Sequence, residues 1–265
     1  MRLPAWWRGI SPRRRLLVTA IALLAAAGVV AGVVAAVRGD APGSGRPSQD
    51  QPGPVLLVPG YGGAQAALAR LAERIHQVTG RPAEVLTLPG DGTGDLLDQV
   101  AVLDDAAERA HARGAPSVDV IGYSAGGVVA AWWVTRDGGA HQARRVVTLG
   151  APLHGTQLAA TATVLDPAAC PTACRQLAPG SSLLQQLQNQ PVPEDLPWLS
   201  VWTERDEVVV PPDSARLTGA VNVPLQQACP GNQATHSDLP TDPQVTALVL
   251  RALGTAPLSA PATCG

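Results

Sequence analysis

The chain has 265 residues, enough for one α/β domain with a well-buried core and too few for two generous ones. Its formal charge is −2, but residues 1–38 hold six Arg and no acids, leaving 13 Arg against 21 acids, or −8, in the remainder. A domain that acidic repels nucleic acid, which is therefore excluded as a partner.

In chain order, residues 1–15 form a basic segment with Arg2, Arg8, Arg13, Arg14 and Arg15. Residues 16–37 follow as 22 uncharged, mostly apolar residues. As a helix this run would be roughly 33 Å long, enough to span a bilayer core. The basic flank places the N-terminus in the cytoplasm and the rest of the chain outside. The run is long and ends at Val37-Arg38 without a small-x-small cleavage site, so an uncleaved signal anchor is preferred to a signal peptide; cleavage would instead release a secreted protein. Pro12-Arg-Arg-Arg-Leu-Leu17 loosely matches a twin-arginine signal, but arginines before a membrane helix read more simply as topology markers. Residues 38–54, rich in Gly, Pro, Ser, Asp and Gln, read as a flexible linker.

The catalytic domain is expected over residues 55–254, with a tail at 255–265. Aliphatic runs at Val55–Val58, Glu84–Leu88, Val118–Gly122, Val146–Leu149, Leu199–Thr203 and Ala220–Val223 predict strands. They alternate with longer helical patterns, which predicts a mostly parallel sheet of about six strands with helices on both faces. Ala64–Val78 places Leu68, Leu71, Ile75 and Val78 on one helical face, and Gly94–Arg113 does the same with Leu97, Val100, Leu103 and Ala107. Further helices are expected from Ser124 through Trp133 and from Pro243 to Leu253, the latter with Pro in its first turn and Gly254 behind it.

Four Cys lie beyond the apolar run. An even number in an exported domain favours disulfides over metal ligands, since no His or second Cys pair stands at zinc spacing beside them. Three pairings are possible. Cys170 with Cys174 is preferred on proximity, and Cys229 with Cys264 because it would tether the tail.

The chemistry concentrates at Val120-Ile-Gly-Tyr-Ser-Ala-Gly-Gly127. A GxSxG run alone is a modest signal, and a Gly-rich turn opening an ordinary βα unit would share it. Here a strand ends in it and the buried helix Val128-Val-Ala-Ala-Trp-Trp-Val134 leaves it. A sharp strand-to-helix turn needs small residues on both sides of the Ser, which lifts the hydroxyl clear of the sheet and marks Ser124 as a nucleophile. Such a hydroxyl needs a base and an acid, in the order Ser, acid, His. Of five His, His236 alone stands near the C-terminus before the last helix; His154, after Leu149-Gly150, is the one competitor. The strand Leu199–Thr203 is followed by Glu204-Arg205-Asp206-Glu207, of which Asp206 is the chosen acid with Glu204 and Glu207 in reserve. Backbone donors for an oxyanion are expected from Ala125 and from Tyr61 in the loop Val58-Pro-Gly-Tyr-Gly-Gly63.

Together with Val146-Val-Thr-Leu-Gly-Ala-Pro-Leu-His-Gly-Thr156 and His236-Ser-Asp-Leu-Pro-Thr-Asp-Pro-Gln-Val245, these motifs resemble the small bacterial secreted lipases and esterases of the α/β-hydrolase superfamily over about residues 55–253. The resemblance implies hydrolysis of carboxylic esters of lipids, no cofactor and no metal, a triad of Ser124, Asp206 and His236, and oxyanion amides of Tyr61 and Ala125. Two features depart from the pattern. Pro59 stands where such lipases often carry His, and the hydrophobic entrance for fatty chains is not traceable, although residues 153–197 could form a small cap. In it, Leu183, Leu184 and Leu187 at helical spacing read as core ahead of an acyl-chain wall.

The expected protein is thus a monomeric extracytoplasmic lipase or esterase, held to the membrane by its N-terminal helix. An acyltransferase on the same fold, with an alcohol replacing water, is the alternative within the class. A surface binding protein that kept the fold and lost the activity is the alternative outside it.

Overall fold

The computed structural model describes residues 45–260, together with Ser11 and Arg13. The apolar run 16–37 and Cys264 lie outside the described residues. Among the described residues no helix is long and apolar enough to cross a membrane.

Among the described residues six strands build one sheet: β1 (Val55–Val58), β2 (Ala83–Val85), β3 (Val118–Tyr123), β4 (Ala143–Leu149), β5 (Trp198–Trp202) and β6 (Val221–Pro224). Their order is β2-β1-β3-β4-β5-β6 and every neighbouring pair is parallel. Parallel strands need helical crossovers, and these bury both faces of the sheet. In β1, Leu56 and Val58 join one core layer while Val55 and Leu57 join the other. The strands depart slightly from the predicted bounds. β2 ends at Val85 because it is an edge whose only neighbour, β1, stops at Val58, although the Leu86 amide still donates to Leu57 O at 2.9 Å.

Helices α1 (Ala66–Thr79), α2 (Leu96–Ala112) and α3 (Ala125–Arg136) follow β1, β2 and β3. In α1, Leu68, Leu71 and Ile75 are buried, but Val78 is 51% exposed because it lies in the last turn, just before the chain reverses at Gly80. In α2 the buried stripe starts at Leu96 instead of Leu97. Asp95 caps the helix by accepting the Leu97 amide, so Leu96 is the first helical residue and the stripe runs through Val100, Leu103 and Ala107.

The insertion between β4 and β5 carries α4 (Gln157–Leu165), α5 (Thr172–Gln176) and α6 (Ser182–Gln188). Leu183, Leu184 and Leu187 of α6 are buried in the same core layer as α3, so they are core residues. Cys170 and Cys174 form a disulfide across the start of α5. Gln176 fixes the end of α5, accepting the Leu96 amide at 2.9 Å and donating to Asp95 at 2.7 Å. After β6 come α7 (Leu225–Ala228) and α8 (Pro243–Ala252), the latter capped by Asp242 through the amides of Gln244 and Val245.

Candidate active site

The turn between β3 and α3 holds Ser124 at φ 52° and ψ −125°, the one described non-Gly residue with positive φ. An L-residue avoids this region unless its surroundings impose it, and such strain collects at functional turns. The surroundings are visible: the Ser124 amide donates to Leu149 O at 2.8 Å, and Gly127 N donates to Ser124 O at 2.9 Å. A Cβ on Gly122 would lie 2.5 Å from Gly126 O, and one on Gly126 would lie 2.3 Å from Val58 O. Both glycines are therefore required by close backbone approach.

Asp206 sits in the turn after β5 and is buried. Its Oδ1 accepts the amides of Val208 at 2.9 Å and Val209 at 2.7 Å, and its Oδ2 pairs with His236 Nδ1 at 2.7 Å. A carboxylate can only accept, so the proton resides on Nδ1 and Nε2 is left as the basic nitrogen. His236 opens a short 3-10 turn, His236–Asp238, held by a reciprocal cap between Thr235 and Asp238. Its ring lies over Gly150, where a Cβ would come within 3.0 Å of Nδ1, and Gly150 takes φ 56°. Gly150 directly follows Leu149, the residue whose carbonyl holds the Ser124 amide. The imidazole and the serine turn thus meet at the ends of β3 and β4. Among the described residues no hydrogen bond joins Ser124 Oγ to His236.

The other candidates separate clearly. His154 Nδ1 lies 2.9 Å from Ser214 O and its amide donates to the same carbonyl, so it is engaged locally. The Glu204 carboxylate accepts from Gln227 Nε2 at 2.8 Å on the exposed side of the turn. Glu207 is not idle: its Oε2 accepts the His236 amide at 3.3 Å.

On the opposite side of Ser124, Gly60 presses against the serine turn, with a Cβ there falling 3.0 Å from Ser124 Cβ. Tyr61 follows it, and the loop is pinned where Gly62 N donates to Gly92 O at 3.2 Å. Desolvation, with the Asp91 carboxylate adding to it, pushes the Tyr61 phenol above its ordinary pKa. Ala125 is the first residue of α3, so its amide is among those a helix leaves without an internal acceptor. A cavity of about 260 Å³ opens beside Ser124, bordered by Tyr61, Leu158, Ala159, Ala162, Leu177 and Val209. Thr156 also borders it, but its hydroxyl is committed to Val208 O and to the amides of Leu158 and Val210. The lining therefore presents a hydrocarbon surface.

Sequence reasoning overlooked Tyr123. Its hydroxyl donates to His236 O at 3.2 Å, and its ring centroid lies 5.2 Å from that of the imidazole. Burial, followed by the carboxylates of Asp206, Glu207 and Asp238, pushes its pKa up to about 12. The signal was available: Tyr123 stands two residues after Ile121 in β3 and shares its face. Among the described residues no cluster of His, Cys, Asp and Glu is arranged to hold a metal ion.

Comparison with known proteins places these residues in context. Residues 90–229 match the family model of the PGAP1-like alpha/beta domain. Among solved structures, the mature lipase BlEst2 of Bacillus licheniformis is 21% identical with a TM-score of 0.55, over 67% of this chain and 84% of that one. Lipase B of Aspergillus fumigatus is 19% identical with a TM-score of 0.65, over 84% of this chain but only 56% of the fungal protein. The monoacylglycerol lipase of Paleococcus ferrophilus is 16% identical with a TM-score of 0.53, over 79% and 94%. Curated proteins provide no match by sequence. At these identities the likeness is one of fold, that of the α/β-hydrolases.

Proposed function

The chain belongs to the PGAP1-like alpha/beta domain family, and on that footing we propose that it is a serine hydrolase that cleaves carboxylic esters with an apolar acyl group. The observation that carries this reading is the Asp206–His236 pair, 2.7 Å apart, lying over Gly150 beside a serine held at positive φ. Ser124 Oγ attacks the ester carbonyl while His236 Nε2 takes its proton. The imidazolium that forms keeps its Nδ1–H on Asp206 and then protonates the departing alkoxide. Amides of Tyr61 and Ala125 receive the oxyanion, reinforced by the positive end of α3. Water, deprotonated by the same imidazole, releases the acid from Ser124. The acyl group lies in the hydrocarbon-lined cavity between α4 and the Val208–Val209 segment.

Replacing Ser124 with Ala tests the assignment. Hydrolysis of p-nitrophenyl esters should fall to the background rate, with the fold unchanged by circular dichroism. Wild-type turnover in that variant would remove Ser124 from the mechanism.

We further propose that residues 16–37 anchor the enzyme as a single pass with this domain outside the membrane, as a monomer. The basic flank and the even cysteine count support that placement. Protease added to intact cells should digest the domain, and the mass of the mature protein should include the N-terminal segment.

A further inference from the structure

We propose that Tyr123 is a positioning residue of this hydrolase, an inference that rests on the ester-cleaving role just assigned: it holds the turn carrying His236 in register with the turn carrying Ser124. Ser124 and His236 are 112 residues apart in sequence and come from different crossovers, so something must set their separation. Besides the bond within its own turn, where the Leu239 amide donates to His236 O at 3.3 Å, His236 is gripped at three points. Asp206 takes Nδ1, Glu207 takes the backbone amide, and Tyr123 donates to the backbone carbonyl. The first two grips come from the loop after β5. Of the three, only Tyr123 is bonded directly to Ser124, so its hydroxyl and ring join the two turns directly.

The local structure suits that role. β3 continues to Tyr123, whose ring faces the same layer as Ile121 and packs with the cluster containing Leu239 and Val245. The ring lies tilted by 32° against the imidazole. Because a carbonyl only accepts, the phenol must keep its proton for the contact to exist. A pKa of about 12 keeps it protonated at any ordinary working pH. Phe at this position would preserve the ring contact and remove the donor. The His236 turn would then lose one of its three grips, and misplacement of reacting groups by a fraction of an ångström is costly to rate.

The test compares wild type, Tyr123→Phe and Glu207→Ala on p-nitrophenyl acetate, with thermal melts of each. Tyr123→Phe should lower kcat about tenfold while KM stays within about twofold, and should slow fluorophosphonate labelling of Ser124 by a similar factor. Glu207→Ala alters an exposed side chain and gives a second reading should Tyr123→Phe not fold; its kcat should fall about threefold in the same manner. Unchanged kcat in the folded variants, or a loss that simply follows the fraction unfolded, overturns the positioning role while leaving the hydrolase intact. Wild-type protein that turns over no ester overturns the hydrolase reading itself, and this inference with it.

Discussion

Asp206 and His236 meet through a single 2.7 Å contact between Oδ2 and Nδ1, and the other carboxylate oxygen is held by two backbone amides. This division of labour fixes both the carboxylate and the ring. Asp206→Asn can keep its oxygen on the Val208 and Val209 amides, but it then offers an N–H to Nδ1. The imidazole is forced into the other tautomer, with its proton where the base should be. We expect kcat to fall on the order of 10³–10⁴-fold with little change in melting temperature, measured on a short p-nitrophenyl ester.

Ala159 and Ala162 stand three residues apart on one face of α4 and offer only methyl groups to the cavity beside Ser124. Ala162→Leu would fill part of that space without touching Ser124, Asp206 or His236. The kcat/KM ratio of octanoate to acetate esters should drop about tenfold, in keeping with the 1–3 kcal/mol that a few methylenes command in an apolar pocket. An unchanged ratio would mean that the acyl chain lies elsewhere.

At the opposite end of the sheet, Asp119 of β3 is fully buried and accepts from Arg81 Nη2 at 2.5 Å and Arg144 Nε at 3.0 Å. Arg144 Nη2 also reaches this carboxylate and donates to Leu253 O at 2.7 Å. Arg145 adds a third guanidinium, itself buried, its pKa lowered by burial and by Arg144. One carboxylate thus offsets a concentration of positive charge. Asp119→Asn should destabilise the fold by about 3–5 kcal/mol, the cost of leaving buried charges uncompensated, as read from urea unfolding. A loss below about 1 kcal/mol would mean that the cluster is solvated.

This cluster also marks where the sequence stopped being legible. The mostly parallel sheet of about six strands, the α/β-hydrolase fold and the turn around Ser124 were readable because short aliphatic runs alternate with helical stripes and glycines bracket the serine. β4, however, begins at Ala143, three residues before its apolar run, because Arg144 and Arg145 are strand residues whose charges are satisfied by partners about 25 and 110 residues away. Gln49 and Gln51 read as polar linker residues, yet Gln49 Nε2 donates to Arg144 O and Gln51 O accepts from Ser117. Local composition carries no sign of such distant pairing. For Tyr123 the face it shares with Ile121 was legible, but not its partner, a carbonyl 113 residues later.

The raised pKa of Tyr123 has a consequence for stability. Its ordinary value is 10.0 and the folded value is about 12, so the fold favours the neutral phenol. That contribution is complete below pH 10 and is lost as the pH rises through 12. The stability advantage of wild type over Tyr123→Phe should therefore shrink between pH 10 and 12 in urea titrations. The chain contains no Lys to titrate in that window. A constant difference across it would show that the phenol ionises equally in both states.

Fluorophosphonate labelling of the folded domain followed by peptide mass mapping tests directly whether Ser124 is an activated nucleophile. Only a hydroxyl activated by a neighbouring base reacts readily with such a probe. One adduct per chain is expected, on Ser124, abolished in Ser124→Ala and strongly slowed in His236→Ala. An unlabelled wild-type protein, or an adduct on any other residue that persists in Ser124→Ala, would contradict it.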